Sequence, residues 1–301
     1  MHWRITDARG DPEGAQAKYS ERLWYLPDVF CCYRPMIRGP LLRYQPMYQV
    51  QPTPALSNGH ITFGTCNNLG KLTDQVLALW GRIVQSIPGS RLLVEGKNLS
   101  HASMATSFRQ RCDRLGLDSE RLILVEQETK NQYLTYHRID IALDPFPLVG
   151  GTSTNDLLWM GVPVVTLNGD TLRNRMGVGI LAHMGCHNWV ARDQDEYLGI
   201  AAALASDVTA LNQLRQVLRQ EVEASAVMRE DVFVQEFGNA LRSMWLHWLT
   251  KTEHPDWTQA QVDAQVQAML DQAPPQPDHQ EFLVGVAPGE RVPLSIAYQR
   301  L

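Results

Sequence analysis

The sequence predicts an α/β protein built on a parallel sheet, followed by a mostly helical region. Short apolar runs, each ending in polar residues, recur from Ile61 to Leu167. Segments with apolar residues at helical spacing lie between these runs. Strands and helices that alternate at such short intervals are typical of βαβ units, which form parallel sheets.

The individual elements follow from the same patterns. The first predicted strand is "ITFGTCNN", and later ones are "SRLLVEG", "RLILVE", "DIALDPF" and "VPVVTL". The predicted helices between them are Asp74–Val84, Ala102–Leu115, Lys130–Arg138 and Thr154–Met160. Five or six strands are therefore expected.

Helices dominate the predicted structure after Leu167. They are expected at Arg173–His183, Asp195–Ala205, Val208–Val222, "DVFVQEFGNALRSMWLHWL" and "TQAQVDAQVQAML". The fourth of these has an apolar stripe that includes Trp245 and Trp248, and we expect this stripe to pack in a core.

Three regions are predicted from these patterns. Residues 1–60 read as an irregular connector, with a short helix in "YSERLWYLPDVFCCYRP". Residues 61–250 form the α/β lobe. Residues 251–301 are expected to be a partly disordered tail, since "QAPPQPDHQ" is typical of a linker.

Composition excludes several classes of function. The chain has 301 residues, a net charge of −5, 44% hydrophobic and 20% charged residues. Mild acidity gives no reason to expect nucleic acid binding, and no apolar run is long enough for a membrane span. Five cysteines without framework spacing, and an N-terminus without signal-peptide layout, predict a cytoplasmic protein without a metal site.

The stretch "DPFPLVGGTSTNDLLW" predicts an anion-binding turn. Gly150 and Gly151 allow the backbone to approach a ligand, and Thr152, Ser153 and Thr154 place hydroxyl groups where a helix begins. The free N–H groups of a helix start favour a phosphate. Asp144, just before the turn, is expected to shape the pocket.

Two more residues complete this predicted site. Lys71 follows the first strand in "CNNLGKL", at the same carboxyl edge of the sheet, and suits a diphosphate. Asp156, just inside the helix, can complement the helix dipole or accept hydrogen bonds from ribose hydroxyls. The pattern alone leaves a second interpretation open, in which the turn is only a capped loop, because Ser and Thr are also good structural caps. Arg175, after "GDTLRN", is expected either to contact the donor or to cap a helix.

Three stretches of the chain, in order and at the right spacing, resemble one known family. "TFGTCNNLGKLTDQVLALWGRIVQSIPGSRLLV", "YHRIDIALDPFPLVGGTSTNDLLWMGVPVVTLNGDTLRNRMG" and "FGNALRSMWLHW" are similar to the C-terminal half of the O-linked N-acetylglucosamine transferases, including their SPINDLY-type relatives. The resemblance covers about residues 4 to 250. It implies one Rossmann-like lobe of a GT-B glycosyltransferase, and transfer of N-acetylglucosamine from UDP-GlcNAc to Ser or Thr of proteins with inversion.

The resemblance also implies roles for individual residues. Lys71 corresponds to the lysine that contacts the donor diphosphate and is the candidate catalytic residue. Thr152 and Ser153 correspond to hydroxyl residues at the phosphate-binding helix, and Asp156 to the aspartate that holds the ribose. The remaining donor-site candidates are Asn68, Gln132, Gly150, Gly151, Thr154 and Arg175.

The chain departs from the family pattern in two ways. The best-known member has histidine at the positions of Gly151 and Gln132, so the sugar and nucleotide stay open, and a relative that uses GDP-fucose is an alternative. The N-terminal lobe and its tetratricopeptide repeats have no counterpart here, and no histidine corresponds to the candidate catalytic one. The sequence is also compatible with a truncated nucleotide-binding homologue without transferase activity, or with an epimerase-like protein. No cofactor or metal is expected; the expected partners are a nucleotide sugar, a protein acceptor and a separately encoded N-terminal lobe.

Overall fold

A computed structural model describes residues 2–35, 45–128 and 133–272. One compact unit extends to Ala240, and a second begins at Leu241. No helix in these described ranges is long and apolar enough to cross a membrane. The five cysteines of the chain are free thiols.

Eight strands in the described part of the chain form two parallel sheets. They are β1 (Trp3–Thr6), β2 (Arg22–Tyr25), β3 (Thr62–Thr65), β4 (Arg91–Gly96), β5 (Leu122–Glu126), β6 (Ile141–Leu143), β7 (Val164–Leu167) and β8 (Val190–Ala191). β1 pairs with β2, and the other six form a sheet in the order β5-β4-β3-β6-β7-β8. Every pairing is parallel, which confirms the predicted fold class.

The helices follow the chain in the expected alternation. They are α1 (Ala55–Asn58), α2 (Asp74–Ser86), α3 (Ala102–Arg114), α4 (Thr152–Trp159), α5 (Leu172–His183), α6 (Gln194–Ala205), α7 (Val208–Ala224), α8 (Glu230–Glu253) and α9 (Gln259–Asp271). The segment predicted as helix 130–138 contains a 3-10 helix, Leu134–Arg138; residues 129–132 lie outside the described residues.

The core lies on both faces of the large sheet. β3 and β7 are buried along most of their length, because helices cover the sheet on both sides. On one side α2 buries an apolar stripe that includes Trp80, which is fully inaccessible. On the other side Trp159 of α4 packs near α7 with Leu218 and Val222. This packing leaves the strand ends free to carry polar groups.

Residues 1–60, expected to be an irregular connector, contain the two short strands β1 and β2, and the domain boundary at residue 60 stays a prediction. Arg22–Tyr25, expected in a short helix, is strand β2, and it pairs with β1 from Trp3↔Arg22 onward. The same segment is tied into the lobe: Arg215 Nε donates to the Gln51 carbonyl at 2.9 Å, and Ala55 N donates to Asp140 at 2.9 Å. Local periodicity cannot reveal β1, because its pairing partner comes about twenty residues later.

The expectation for the aromatic stripe of α8 was also wrong. Trp245 and Trp248 stack on each other but are 56% and 47% exposed. The buried face carries Ser243, His247 and Thr250 instead, and His247 Nε2 lies 2.8 Å from Asp263 Oδ1 of α9. The hydrogen bond between His247 and Asp263 of α9 therefore determines which face of α8 is buried.

Candidate functional site

Lys71 lies in a short 3-10 helix, Leu69–Lys71, that follows the carboxyl end of β3. Its Nζ donates to the Val149 carbonyl at 2.8 Å and to Asn67 Oδ1 at 3.1 Å. Burial lowers the pKa of Lys71, and the negative charge of Asp144 opposes that shift. The ammonium is thus brought against the loop before α4, as the sequence predicts.

Asn67 connects Lys71 to the start of α4. Its Oδ1 accepts hydrogen bonds from Lys71 and, at 3.1 Å, from Ser153 Oγ, while its Nδ2 donates to Thr65 Oγ1 at 3.3 Å. Sequence reasoning chose the adjacent Asn68, which is exposed and accepts a hydrogen bond from Gly70 N at 2.8 Å. No local signal distinguishes them, because every residue of β3 is buried and the strand has no exposed side that would set a phase.

Asp144 organises the loop that leads to α4. Its Oδ1 accepts a hydrogen bond from Gly150 N at 2.7 Å, and its Oδ2 accepts one from Thr166 Oγ1 at 2.9 Å. Burial raises its pKa to about 6, against the opposing effects of these hydrogen bonds and of Lys71. Asp144 therefore fixes the position of the Gly150 backbone, and a role in shaping a ligand pocket stays a prediction.

The two glycines of the turn are required by close packing. A Cβ at Gly150 would overlap Thr154 Oγ1 and lie 2.9 Å from Asp144 Oδ1. A Cβ at Gly151 would lie 2.5 Å from the Met176 sulfur. A larger residue at Gly150 would force Thr154 or Asp144 to move, and one at Gly151 would displace the flexible side chain of Met176 in α5.

Helix α4 begins at Thr152, and its N-cap residue Gly151 has no side chain that could cap the first turn. Thr152 is exposed, Ser153 is half-buried and bonded to Asn67, and Thr154 is buried beside Gly150. The positive end of the helix dipole therefore lies on the same side as Lys71. This arrangement can stabilise an anion, and above all a phosphate.

Asp156 lies deeper, inside a cluster of tyrosines. Its Oδ1 accepts hydrogen bonds from Tyr33 at 2.6 Å and Tyr133 at 3.0 Å, and its Oδ2 has only a 3.5 Å contact with Tyr136. Burial raises its pKa, although these hydroxyl groups oppose the shift. Contact with a ribose stays a prediction, for which Oδ2 retains acceptor capacity.

Arg175 holds two segments together. Its guanidinium donates to Asn168 Oδ1 and the Gly169 carbonyl in the loop after β7, and to the Arg9 carbonyl in the N-terminal segment. None of these contacts caps a helix, and contact of Arg175 with the donor stays a prediction. Gln132, another candidate, lies outside the described residues.

The described side chains form no cluster suited to a metal ion. Across residues 2–35, 45–128 and 133–272, no group of three or more His, Cys, Asp or Glu side chains is arranged to hold one. The cation of the site, so far as the structure describes it, is Lys71.

Comparison with known proteins agrees with this geometry. The model of glycosyl transferase family 41 matches residues 47–237. A Petunia hybrida protein named "Probable UDP-N-acetylglucosamine--peptide N-acetylglucosaminyltransferase SPINDLY" is 41% identical over 248 residues. That match covers 81% of this chain and 26% of the relative, so the chain spans only a minor part of the curated relatives' length.

Solved structures show the same architecture. A mutant of the O-GlcNAc transferase of Thermobaculum terrenum matches with a TM-score of 0.69 and 31% identity, over 81% of this chain and 45% of that one. Sucrose-phosphate synthase of Thermosynechococcus elongatus, at 13% identity and a TM-score of 0.53 over 81% and 58% of the two chains, shares the fold alone. The fold is that of one GT-B lobe, and the chain belongs to glycosyl transferase family 41.

Proposed function

We propose that this chain is the donor-binding half of an inverting protein O-glycosyltransferase that transfers N-acetylglucosamine from UDP-GlcNAc to Ser or Thr. One observation carries the proposal: Lys71 Nζ lies against the loop before α4, held by the neutral acceptors of Val149 and Asn67. Among the described residues, no carboxylate lies within ion-pair distance of this ammonium. Its charge is therefore available to a diphosphate.

The chemistry follows from that placement. In an inverting transfer the acceptor hydroxyl attacks the anomeric carbon, and negative charge grows on the departing diphosphate. Lys71 and the N-terminus of α4 stabilise that charge electrostatically. A bound diphosphate also favours the charged form of Lys71, which offsets the effect of burial on its pKa.

The relatives support the choice of donor and acceptor. The Petunia hybrida relative is named for transfer of N-acetylglucosamine from UDP-N-acetylglucosamine to peptide. Because this chain matches only 26% of that relative, we propose that a second lobe completes the active site and presents the acceptor protein. Orienting two reactants contributes on the order of 7–11 kcal/mol, so the isolated chain is expected to bind UDP and transfer sugar poorly.

Calorimetry with UDP on the purified 301-residue chain tests the proposal. Lys71→Ala is expected to weaken UDP binding at least tenfold, or about 1.4 kcal/mol, with an unchanged melting temperature. Lys97→Ala is the matched control, because Lys97 is an exposed lysine that follows β4 at the same edge. EDTA is expected to leave the affinity unchanged.

Three outcomes would contradict the proposal in different ways. Equal UDP affinity of the Lys71→Ala variant and the parent would remove Lys71 from the site. Tighter binding of GDP than of UDP would favour the fucose-transferring alternative. A loss of affinity in EDTA would show that a cation takes part in donor binding.

A further inference from the structure

A cavity lies at the opposite edge of the large sheet from Lys71. Its volume is about 430 Å³, and Thr62, Arg91 and Ile123 line it near the amino ends of β3, β4 and β5. His60, His137 and Arg138, just before β3 and β6, complete the wall. Strands of four and six residues separate this edge from Lys71, a span of roughly 13–20 Å. The cavity is therefore distinct from the donor site.

The wall of this cavity is cationic. Within the ranges that the structure describes, neither Arg91 nor Arg138 has a carboxylate within ion-pair distance. Arg138 acts on the half-buried Glu95 only through its electrostatic field. Guanidinium groups without a carboxylate partner suit the oxygens of a phosphate, which they bind with paired hydrogen bonds.

A buried carboxylate just after Arg138, that of Asp140, is already committed to backbone donors. Asp140 accepts hydrogen bonds from Ala55 N at 2.9 Å and from Thr62 N at 2.8 Å. The buried Arg215 lies close enough to favour its charged form. Asp140 therefore offsets part of the positive charge of Arg215.

His137 contributes an unpaired hydrogen-bond acceptor, which a simple anion without a hydroxyl group does not satisfy. Its Nε2 lies 2.7 Å from the Met47 carbonyl, which can only accept, so Nε2 carries a proton. Its Nδ1 is buried and has no hydrogen-bond partner in the described part of the chain. Burial and the positive charges of Arg215 and Arg219 lower the pKa of His137, so at neutral pH Nδ1 is an acceptor that lacks a donor. Because Nδ1 is closed to solvent, a hydroxyl group of a ligand would satisfy it only once the imidazole moves toward the cavity.

We propose that this cavity binds a sugar phosphate, with the phosphate between Arg91 and Arg138 and a sugar hydroxyl donating to His137. The volume suits a ligand of that size, since small-molecule sites typically enclose ~300–1,000 Å³. The site is independent of the donor site and of the proposed transfer reaction. It adds a second small-molecule ligand to the lobe.

Calorimetry on the full chain with glucose 6-phosphate, inorganic phosphate and glucose tests this site. We expect glucose 6-phosphate to bind, inorganic phosphate to bind at least fivefold more weakly, and glucose to show no binding. The double variant Arg91→Gln, Arg138→Gln is expected to lose at least tenfold in affinity for glucose 6-phosphate. Arg114→Gln, at an exposed position of α3, is the matched control.

Saturating UDP separates the two sites. The affinity for glucose 6-phosphate is expected to be the same with and without UDP, and UDP binding the same in the double variant. Melting curves confirm that the variant is folded. Nuclear magnetic resonance of His137 supplies a second readout, since a bound phosphate raises the pKa of this imidazole.

The proposal is overturned if glucose 6-phosphate does not bind, if UDP displaces it, or if the folded double variant binds it as well as the parent. Equal affinity for inorganic phosphate and glucose 6-phosphate would overturn the role of the sugar hydroxyl. If the pKa of His137 is unchanged at saturating glucose 6-phosphate, His137 takes no part in the site.

Discussion

Strand β6 has a buried aspartate at each end, and the two carboxylates have different surroundings. Among the described residues, the hydrogen bonds to Asp140, at the amino edge, come from the backbone N–H groups of Ala55 and Thr62. Asp144, at the carboxyl edge, accepts one from Gly150 N and one from the Thr166 hydroxyl. Burial raises the pKa of both.

This difference separates a carboxylate that backbone groups hold rigidly from one whose surroundings can respond to a ligand. The partners of Asp140 are fixed donors that join α1 and β3 to β6. The partners of Asp144 include a hydroxyl that can reverse its role, and the lysine that acts on it, Lys71, is held by neutral acceptors. The charged groups at the carboxyl edge, Asp144 and Lys71, can therefore rearrange when an anion binds. The contacts by which Asp140 joins α1 and β3 to β6 cannot.

The largest expected effect comes from variants that remove the charge of Asp140 or of Asp144, one at a time. Asp140→Asn places an amide NH₂ against a backbone N–H donor and leaves Arg215 without its counter-charge, so we expect a loss of about 3 kcal/mol at pH 7. Asp144→Asn is the matched variant, because Thr166 can rotate and accept from the amide; its expected cost is below about 1 kcal/mol. Urea unfolding measures both, and similar losses would contradict the distinction.

The pH dependence of the free energy of unfolding tests the surroundings of Asp144 directly. The pKa of Asp144 in the folded chain is about 6, above its ordinary value of 3.8, so its contribution to stability is fully present at low pH and is lost as pH rises toward 6. Relative to Asp144→Asn, the parent should lose on the order of 2–3 kcal/mol between pH 4 and pH 6.5. Urea unfolding across that range gives the difference, and a flat difference would show that Asp144 titrates normally.

A glycine substitution tests how tightly the carboxyl edge is packed. Gly150→Ala forces Thr154 or Asp144 to move, since the added Cβ would overlap the first oxygen and lie 2.9 Å from the second; we expect a loss of about 2 kcal/mol and weaker UDP binding. Gly199→Ala in α6 is the control, because nothing lies within 4 Å of its Cβ, and it should stabilise the helix by roughly 0.5–1 kcal/mol. If both variants unfold alike, the turn is not closely packed.

The smallest effect concerns the two adjacent asparagines. Asn67→Ala removes the acceptor shared by Lys71 and Ser153, and we expect UDP affinity to fall about tenfold, or ~1.4 kcal/mol. Asn68→Ala removes only the hydrogen bond from Gly70 N and should leave the affinity within about twofold. Calorimetry compares them, and the reverse order would restore Asn68 as the donor-site residue.

The sequence by itself determined the α/β alternation and most of the donor-site candidates. Hydrophobic periodicity is a local property, so β3 to β7 and the helices between them follow from short windows. Lys71 and the Gly150–Thr154 turn could be placed together because parallel strands bring all their carboxyl ends to one edge.

Only the tertiary structure decided the features that depend on distant partners. Asn67 rather than Asn68 meets Lys71 and Ser153, and the contact with Ser153 depends on a residue 86 positions later in the chain. β1 forms because β2 pairs with it, and the buried face of α8 carries the His247 contact with Asp263 instead of the tryptophans. The cationic cavity draws its wall from segments around residues 54–62, 91, 123 and 137–138, which no local pattern connects. In each case the outcome depends on a contact between residues that are distant in the sequence. Such a contact forms, and contributes to stability, only when the chain folds.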